Sequence, residues 1–321
     1  MVQITDVELD VSEAVPVGER CAIAGTVFVP DELPERPVVL VAQPGGTYSR
    51  RYYDLQPPGY EGYSQARHFA EHGVAFAALD YLGGGDSTRP ADGEALTLPV
   101  LAAAAHAAFG RLRDGLLDGD FGAPPLVDPI FVALGFSFGG SLTIFQQGEY
   151  GDFDAVIIAG FSPIGLDSIQ QLPADWDELD EGARREVVRK FNEEAIGQEL
   201  AVYHGASRYA AHWQAHYGPD VDEALIAYDD ADLHTLVPRN AGIDAMTKGF
   251  TLGHAQRIDR PVLLCFGASD VTTHPHGEPR AYSASPDVTL AVFPGTSHLY
   301  NFGATRRQVW DRMLRWLGGL A

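Results

Sequence analysis

Short apolar runs alternate with amphipathic stretches along most of the chain. Residues 37–42 form a continuous apolar run that ends at a Pro-Gly-Gly sequence. Continuous apolarity is typical of strands that are covered on both faces, as in a parallel sheet. Similar runs, bounded by glycine, proline or acidic residues, span residues 74–79, 129–136, 153–159, 261–266 and 288–293. The pattern therefore predicts a parallel sheet that begins at residues 37–42.

Helical periodicity separates these predicted strands. It is found in residues 64–72, 96–117, 138–149 and 304–317. Ahead of the first parallel strand, residues 2–11 and 20–29 alternate apolar and polar positions around a Pro-Val-Gly turn, which predicts an antiparallel hairpin. Strands and helices in alternation indicate an α/β protein with a mostly parallel, doubly wound sheet behind that hairpin.

One long segment interrupts the alternation. Residues 162–256 contain no strand-like apolar run and are instead acidic, rich in Trp and Tyr, and helical in pattern, most clearly over residues 181–199 and 201–217. Because the segment follows a predicted strand, it would leave the sheet at its carboxyl edge. We expect a helical lid there, inserted between the two parts of an α/β core formed by residues 1–161 and 257–321.

Composition and charge restrict the classes of function. The 44 acidic residues outnumber the 22 basic ones, and the net charge of −22 disfavours nucleic acid and anionic membrane surfaces as partners. Cys21 and Cys265 lie in apolar runs and are expected to be buried thiols, because a disulfide scaffold needs more cysteines. No apolar run reaches the ~18 residues that cross a bilayer, and the N-terminus has no leader pattern. The expected location is the cytoplasm.

A Gly-x-Ser-x-Gly sequence supplies the sharpest chemical signal. Gly135, Ser137 and Gly139 stand directly after an apolar run and directly before a helical stretch. At such a strand-to-helix turn the serine is held in a strained conformation that exposes its hydroxyl, and the glycines avoid collisions where the chain folds back. Ser137 is therefore the candidate nucleophile.

A serine nucleophile needs a base, which is usually a histidine held by a carboxylate. His298 follows the last predicted strand, and Asp270 follows the strand before it. Both positions lie where α/β sheets assemble their sites. Asp167, which follows the strand that ends at residue 159, is the competing carboxylate.

Acyl transfer also requires two N–H donors for the developing oxyanion. The amide of Phe138 follows the nucleophile at a helix start and is one expected donor. The other should come from the Pro-Gly-Gly loop, where Pro44 has no N–H. Gly46 is preferred, with Gly45 and Thr47 as alternatives.

In this order the motifs resemble those of the α/β-hydrolase family over nearly the whole chain. The matching segments are the N-terminal hairpin, the Pro-Gly-Gly turn and residues 79–87, 135–140, 267–270 and 295–298. Chain order Ser, Asp, His is also that of the family. Many members carry His-Gly where this chain has Pro44-Gly45. The resemblance implies an enzyme, but the family includes esterases, lactonases and carbon–carbon bond hydrolases, and the fold does not choose among them.

Two further pairs of residues could be interpreted as binding sites, for zinc or for a substrate carboxylate. His212 and His216 are four residues apart on a predicted helix, a spacing that can hold zinc, but no third ligand is evident and no metal site is expected. Arg50 and Arg51 follow the predicted oxyanion loop and would suit a substrate carboxylate. Alternatively, Arg50 and Arg51 are solvent-exposed and bind no substrate.

The leading hypothesis is a serine hydrolase that cleaves a carboxylic ester or lactone of an apolar small molecule without metal or cofactor. The alternatives are a carbon–carbon hydrolase of ketones from aromatic degradation and a non-catalytic small-molecule receptor. The sequence does not indicate an oligomeric state. The candidate substrate contacts are Tyr48, on the Pro-Gly-Gly loop, and three aromatic residues of the lid, which also suit the core of the lid itself: Trp176, Tyr209 and Trp213.

Overall fold

An eight-stranded sheet runs through the computed structural model, which describes residues 2–320. The strands are β1 (Val2–Asp10), β2 (Ala22–Pro30), β3 (Val38–Gln43), β4 (Ala75–Leu79), β5 (Ile130–Phe136), β6 (Ala155–Ala159), β7 (Tyr203–His204), β8 (Val237–Pro238), β9 (Val262–Ser269) and β10 (Val288–Ser297). Strands β7 and β8 pair with each other, and the others lie in the order β1-β2-β4-β3-β5-β6-β9-β10. The pairs β1–β2 and β2–β4 are antiparallel, whereas the rest are parallel. The predicted fold class is confirmed.

Helices cover both faces of this sheet. They are α1 (Gln65–Glu71), α2 (Leu98–Asp118), α3 (Phe138–Tyr150), α4 (Glu181–Ile196), α5 (Ala211–Gln214), α6 (Glu223–Tyr228), α7 (Arg239–Met246), α8 (Leu252–Ala255) and α9 (Arg306–Leu317). Helices α2 and α3 pack on one face, and α1 and α9 on the other. Within residues 2–320, none of the helices combines the length and apolar character needed to cross a membrane.

Strand β3 shows why the central runs are apolar at every position. Its side chains alternate between the two faces, so Val39 and Val41 join the core beside Leu101 of α2. Leu40 points the opposite way, into the core that contains Trp310 of α9. A strand buried on both faces has no solvent-facing position left for a polar side chain.

Helices α4 to α8 and the small β7–β8 sheet all fall in residues 160–261, between β6 and β9. We call these residues the inserted segment. The helix predicted for residues 201–217 is wrong: that stretch forms β7, an irregular turn and the four residues of α5. Distant partners satisfy its backbone instead of helical ones, since the Arg208 amide donates to Asp230 at 2.6 Å and the Arg239 amide donates to the carbonyl of Val202 at 2.9 Å. The division into domains stays a prediction.

Replacing Gly135 by alanine is expected to destabilise the fold. The added Cβ would lie 2.5 Å from both the Gly139 carbonyl oxygen and Thr143 Oγ1. Such overpacking should lower the free energy of unfolding by about 1–3 kcal/mol, measured by urea denaturation. Gly110→Ala on α2 is the matched control, because its Cβ meets no atom within 4 Å. That change should raise stability by about 0.5–1 kcal/mol. Equal stability of the two variants would contradict this account of the turn.

Candidate active site

Ser137 occupies the turn between β5 and α3 in a strained backbone conformation. Its φ of 53° and ψ of −119° lie outside the regions that residues with a side chain normally adopt. The turn closes tightly, because a Cβ on Gly139 would collide with the backbone of Gln43 on β3. The Ser137 amide donates to the carbonyl of Ala159 at 2.9 Å, which ties the turn to β6. This hydrogen bond and the close packing of the turn hold the Ser137 hydroxyl at the carboxyl edge of the sheet.

A continuous chain of hydrogen bonds leads away from this hydroxyl. Ser137 Oγ lies 3.0 Å from Nε2 of His298, and Nδ1 of His298 lies 2.7 Å from Oδ1 of Asp270. The side chains of His298 and Asp270 are both buried. With the proton on Nδ1, His298 donates to the carboxylate and can accept the hydroxyl proton at Nε2, as a general base does.

The carboxylate of Asp270 is oriented by the backbone around it. Oδ2 accepts from the Gly267 amide and Oδ1 from the Val271 amide, both at 2.8 Å. Asp167, the competing acid, instead accepts hydrogen bonds from the amide and hydroxyl of Thr273. The structure therefore brings Asp270 to His298 and directs Asp167 elsewhere.

The loop after β3 lies against the start of α3. A Cβ on Gly46 would be 3.4 Å from the Cβ of Phe138, and both residues border the same cavity as Ser137. The Thr47 amide donates to the hydroxyl of Tyr81 at 3.1 Å and is therefore occupied. Among the loop alternatives, this leaves Gly46 as the residue that adjoins both the cavity and Phe138.

A cavity of about 370 Å³ opens beside Ser137 and His298. Within the part of the chain that the structure describes, no Asp, Glu, Lys or Arg borders it. Most of its wall is apolar and comes from the core and from the inserted segment. Its large apolar side chains include Phe161, Leu166, Phe191, Trp213, Val237 and Met246.

Three histidines of the inserted segment also border this cavity. Burial lowers the pKa of His216 to about 3, and the neighbouring His298, whose ring centre is 4.9 Å away, adds to the shift. Burial likewise lowers the pKa of His204 to about 4 and shifts that of His212 downward. All three imidazoles are neutral near pH 7, so they offer polar contacts without charge. Residues 2–320 contain no group of three or more His, Cys, Asp or Glu side chains arranged to hold a metal ion.

The four candidate substrate contacts have different surroundings. Trp213 borders the cavity. Tyr48 is buried and donates its hydroxyl proton to Asp229, and Trp176 packs in a small separate cluster with Val188 and Ile243. Tyr209 is exposed over 48% of its surface. All four lie in the part of the chain that the structure describes, and Trp213 is the one that borders the cavity.

Arg50 is engaged within the protein. Its guanidinium pairs with the buried carboxylate of Asp80 at 2.7 Å and with Asp86 at 2.8 Å. The sequence pattern does not point to His204, which borders the cavity, or to the buried pair of Arg208 and Asp229. No periodicity marks these residues, because they lie in or beside irregular backbone.

Comparisons with known proteins agree with this architecture. No family model matches the chain, and no curated protein matches it in sequence. Among solved structures, a bromoperoxidase from Bacillus anthracis has a TM-score of 0.61 at 19% identity, covering 98% of this chain and 100% of its own. A thermostable carboxyl esterase from Bacillus coagulans has a TM-score of 0.64 at 16% identity, covering 98% of both chains.

A peroxisomal α/β-hydrolase from Saccharomyces cerevisiae is similar over 100% of this chain and 89% of its own, with a TM-score of 0.60 at 12% identity. Identities this low establish a shared fold and nothing finer. The chain has the α/β-hydrolase fold.

Proposed function

We propose that this protein is a serine hydrolase that cleaves a carboxylic ester or lactone of an uncharged, hydrophobic small molecule through an acyl-enzyme. The observation that carries the proposal is the hydrogen-bonded chain of Ser137, His298 and Asp270 at the wall of a cavity that no described Asp, Glu, Lys or Arg borders. The similarity in fold to a carboxyl esterase supports it. No step requires a metal or a cofactor.

Acylation begins when Ser137 Oγ attacks the ester carbonyl while Nε2 of His298 takes its proton. The negative charge that forms on the carbonyl oxygen is stabilised by the amides of Phe138 and Gly46. Asp270 stabilises the imidazolium and keeps the ring oriented. The carbon–oxygen bond then breaks, and the leaving alkoxide receives the proton from His298. In a lactone this new hydroxyl stays on the acyl group.

Deacylation repeats the same proton transfers with water. His298 takes a proton from a water molecule, whose oxygen attacks the acyl carbon. The Ser137 ester bond breaks, and Ser137 Oγ regains a proton from His298. A carboxylic acid leaves, and the enzyme returns to its starting state.

The lining of the cavity supports an uncharged substrate. A charged group would lose its hydration there and find no ionic partner, which is costly, whereas an apolar group gains about 25 cal/mol per Å² buried. The neutral imidazoles of His204, His212 and His216 suit a hydroxyl or carbonyl oxygen on such a substrate. We further propose that the inserted segment acts as the lid, since it supplies these imidazoles and much of the apolar wall.

Purified protein is expected to hydrolyse aryl esters or lactones, and a fluorophosphonate should form one adduct, on Ser137. Among the described serines that border this cavity, Ser137 is the one whose hydroxyl lies within hydrogen-bond distance of a histidine. Product release measured by absorbance and adduct formation measured by intact mass check the two statements.

Ser137→Ala should abolish the adduct, whereas Ser168→Ala should retain it, because Ser168 borders the same cavity but is bonded to a backbone carbonyl. Labelling of Ser137→Ala would show that Ser137 is not the nucleophile. Turnover of a vinylogous diketone without ester hydrolysis would favour the carbon–carbon hydrolase instead. An inert protein that binds these compounds would favour the receptor.

Asp270→Asn should fold normally and lose roughly 10³- to 10⁴-fold in kcat, because an amide favours the wrong imidazole tautomer and does not balance the imidazolium. Asp167→Asn is the matched control and should lose less than about tenfold, since its contacts are to Thr273. Steady-state kinetics on one aryl ester gives both values. The opposite ranking would show that Asp167 is the working acid.

Trp213→Ala should weaken selectivity for large acyl groups. The ratio of kcat/KM for a benzoyl ester to that for an acetyl ester is expected to fall about tenfold, which corresponds to about 1.4 kcal/mol of lost burial. Comparing the two esters cancels any general effect on catalysis. Trp176→Ala, in the separate cluster, should leave this ratio within about twofold. Equal ratios in both variants would remove Trp213 from the substrate pocket.

A further inference from the structure

A fully buried arginine of the inserted segment lies behind the candidate oxyanion loop. Arg208 follows β7 in irregular backbone, and its side chain has no exposed surface. Its Nε pairs with Oδ1 of Asp229 at 3.1 Å, and that carboxylate is equally buried. Asp229 begins a π-helical turn at Asp229–Leu233, a form of helix that is rare and often functional. Two charges removed from water are costly, so their retention calls for a role.

The remaining donors of Arg208 are directed at Thr47, the residue after Gly46. Nη1 donates to Thr47 Oγ1 and Nη2 to the Thr47 carbonyl oxygen, both at 2.9 Å. That carbonyl also accepts from the Thr235 amide at 2.8 Å, and the Thr47 amide donates to Tyr81. Every polar group of Thr47 is therefore held, two of them by the buried guanidinium.

Thr47 needs this support because its backbone is strained. Its φ of 62° is a left-handed conformation, which a β-branched residue rarely adopts. Strain of this kind persists only where the surroundings fix it, and it occurs preferentially at functional sites. Relaxation of Thr47 would rotate the peptide that links it to Gly46 and would disturb the loop beside Ser137.

The surroundings of Arg208 suit a planar guanidinium and no other cation. Its Cζ lies 4.1 Å from the ring centres of both Tyr48 and Trp213, two rings that meet almost at right angles. The hydroxyls of Tyr48 and Tyr217 both donate to Oδ2 of Asp229 at 2.5 Å, and burial raises the pKa of both tyrosines, which keeps them protonated. A lysine would lose both the stacking and the forked hydrogen bonds.

We propose that Arg208 is a positioning residue that acts through Thr47 to hold the Gly46 amide where the oxyanion forms. Packing of the inserted segment against the loop then also positions the Gly46 amide, because Arg208 belongs to that segment. Arg208 does not border the cavity itself; it contacts two residues that do, Thr47 on the loop and Trp213. An acetyl ester, which is too small to depend on Trp213, isolates the effect that passes through the loop. The inference rests on the proposed hydrolase function.

The test compares Arg208→Lys with the control variant Arg185→Lys. Arg185 belongs to the same segment, but its partner is the buried Asp244 and not a residue of the loop. For an acetyl ester, Arg208→Lys should lower kcat roughly 10²-fold, the size of a lost oxyanion donor, with KM changed less than about threefold. A boronic acid, which mimics the tetrahedral oxyanion, should bind more weakly by the same factor as kcat/KM falls. Arg185→Lys should leave kcat and boronate affinity within about threefold.

Hydrogen exchange, measured by mass spectrometry on peptides that cover residues 44–48, reports the protection of the loop amides independently of catalytic activity. Exchange should be faster in Arg208→Lys than in wild type and unchanged in Arg185→Lys. If Arg208→Lys does not fold, Tyr217→Phe weakens the same network and should lower kcat roughly threefold to tenfold. Wild-type loop exchange in the folded variants, or a fall in kcat without weaker boronate binding, would overturn the inference. A wild-type protein inert to esters and phosphonate would instead refute the hydrolase function, and loop exchange would still decide the role of Arg208.

Discussion

The reversal of the chain at Ser137 is the constraint on which the rest of the site depends. Strand β5 turns into α3 through one residue of unfavourable conformation, and the turn is possible because Gly135 and Gly139 leave room for the neighbouring backbone. The exposed hydroxyl is thereby fixed on the rigid centre of the sheet. His298 and Asp270 reach it from the ends of β10 and β9, so parallel strands bring together residues that are far apart in sequence.

Charge is arranged in layers around this fixed point. No described Asp, Glu, Lys or Arg borders the cavity itself, whereas the ion pair of Arg208 and Asp229 lies one layer behind it. The ion pair has no exposed surface, so the attraction between its two charges is stronger than at the protein surface. A substrate of the proposed hydrolase would meet the amides of Phe138 and Gly46 without competition from a charged side chain among the described residues of the wall.

The sheet, its order of strands and helices and the residues that meet at Ser137 could be predicted because each leaves a local pattern. Apolar runs mark strands buried on both faces, and glycines mark the turn. In the inserted segment the pattern is less reliable: residues 201–217 have helical periodicity, but contacts with distant residues hold most of them in irregular backbone. No local pattern marks Arg208. Whether Trp213 or Trp176 reaches the cavity depends on how irregular backbone packs, which local periodicity does not encode.

The separation of the contacting residues along the chain has a consequence for biosynthesis. Ser137 is 161 residues from His298, and Thr47 is 161 residues from Arg208. Contacts of this span form late, since the loops between them must close first. During synthesis Ser137 therefore leaves the ribosome well before His298, and the growing chain carries this serine without its hydrogen-bond partner. Under the proposed function, the nascent protein has no hydrolase activity until its last strand has joined the sheet.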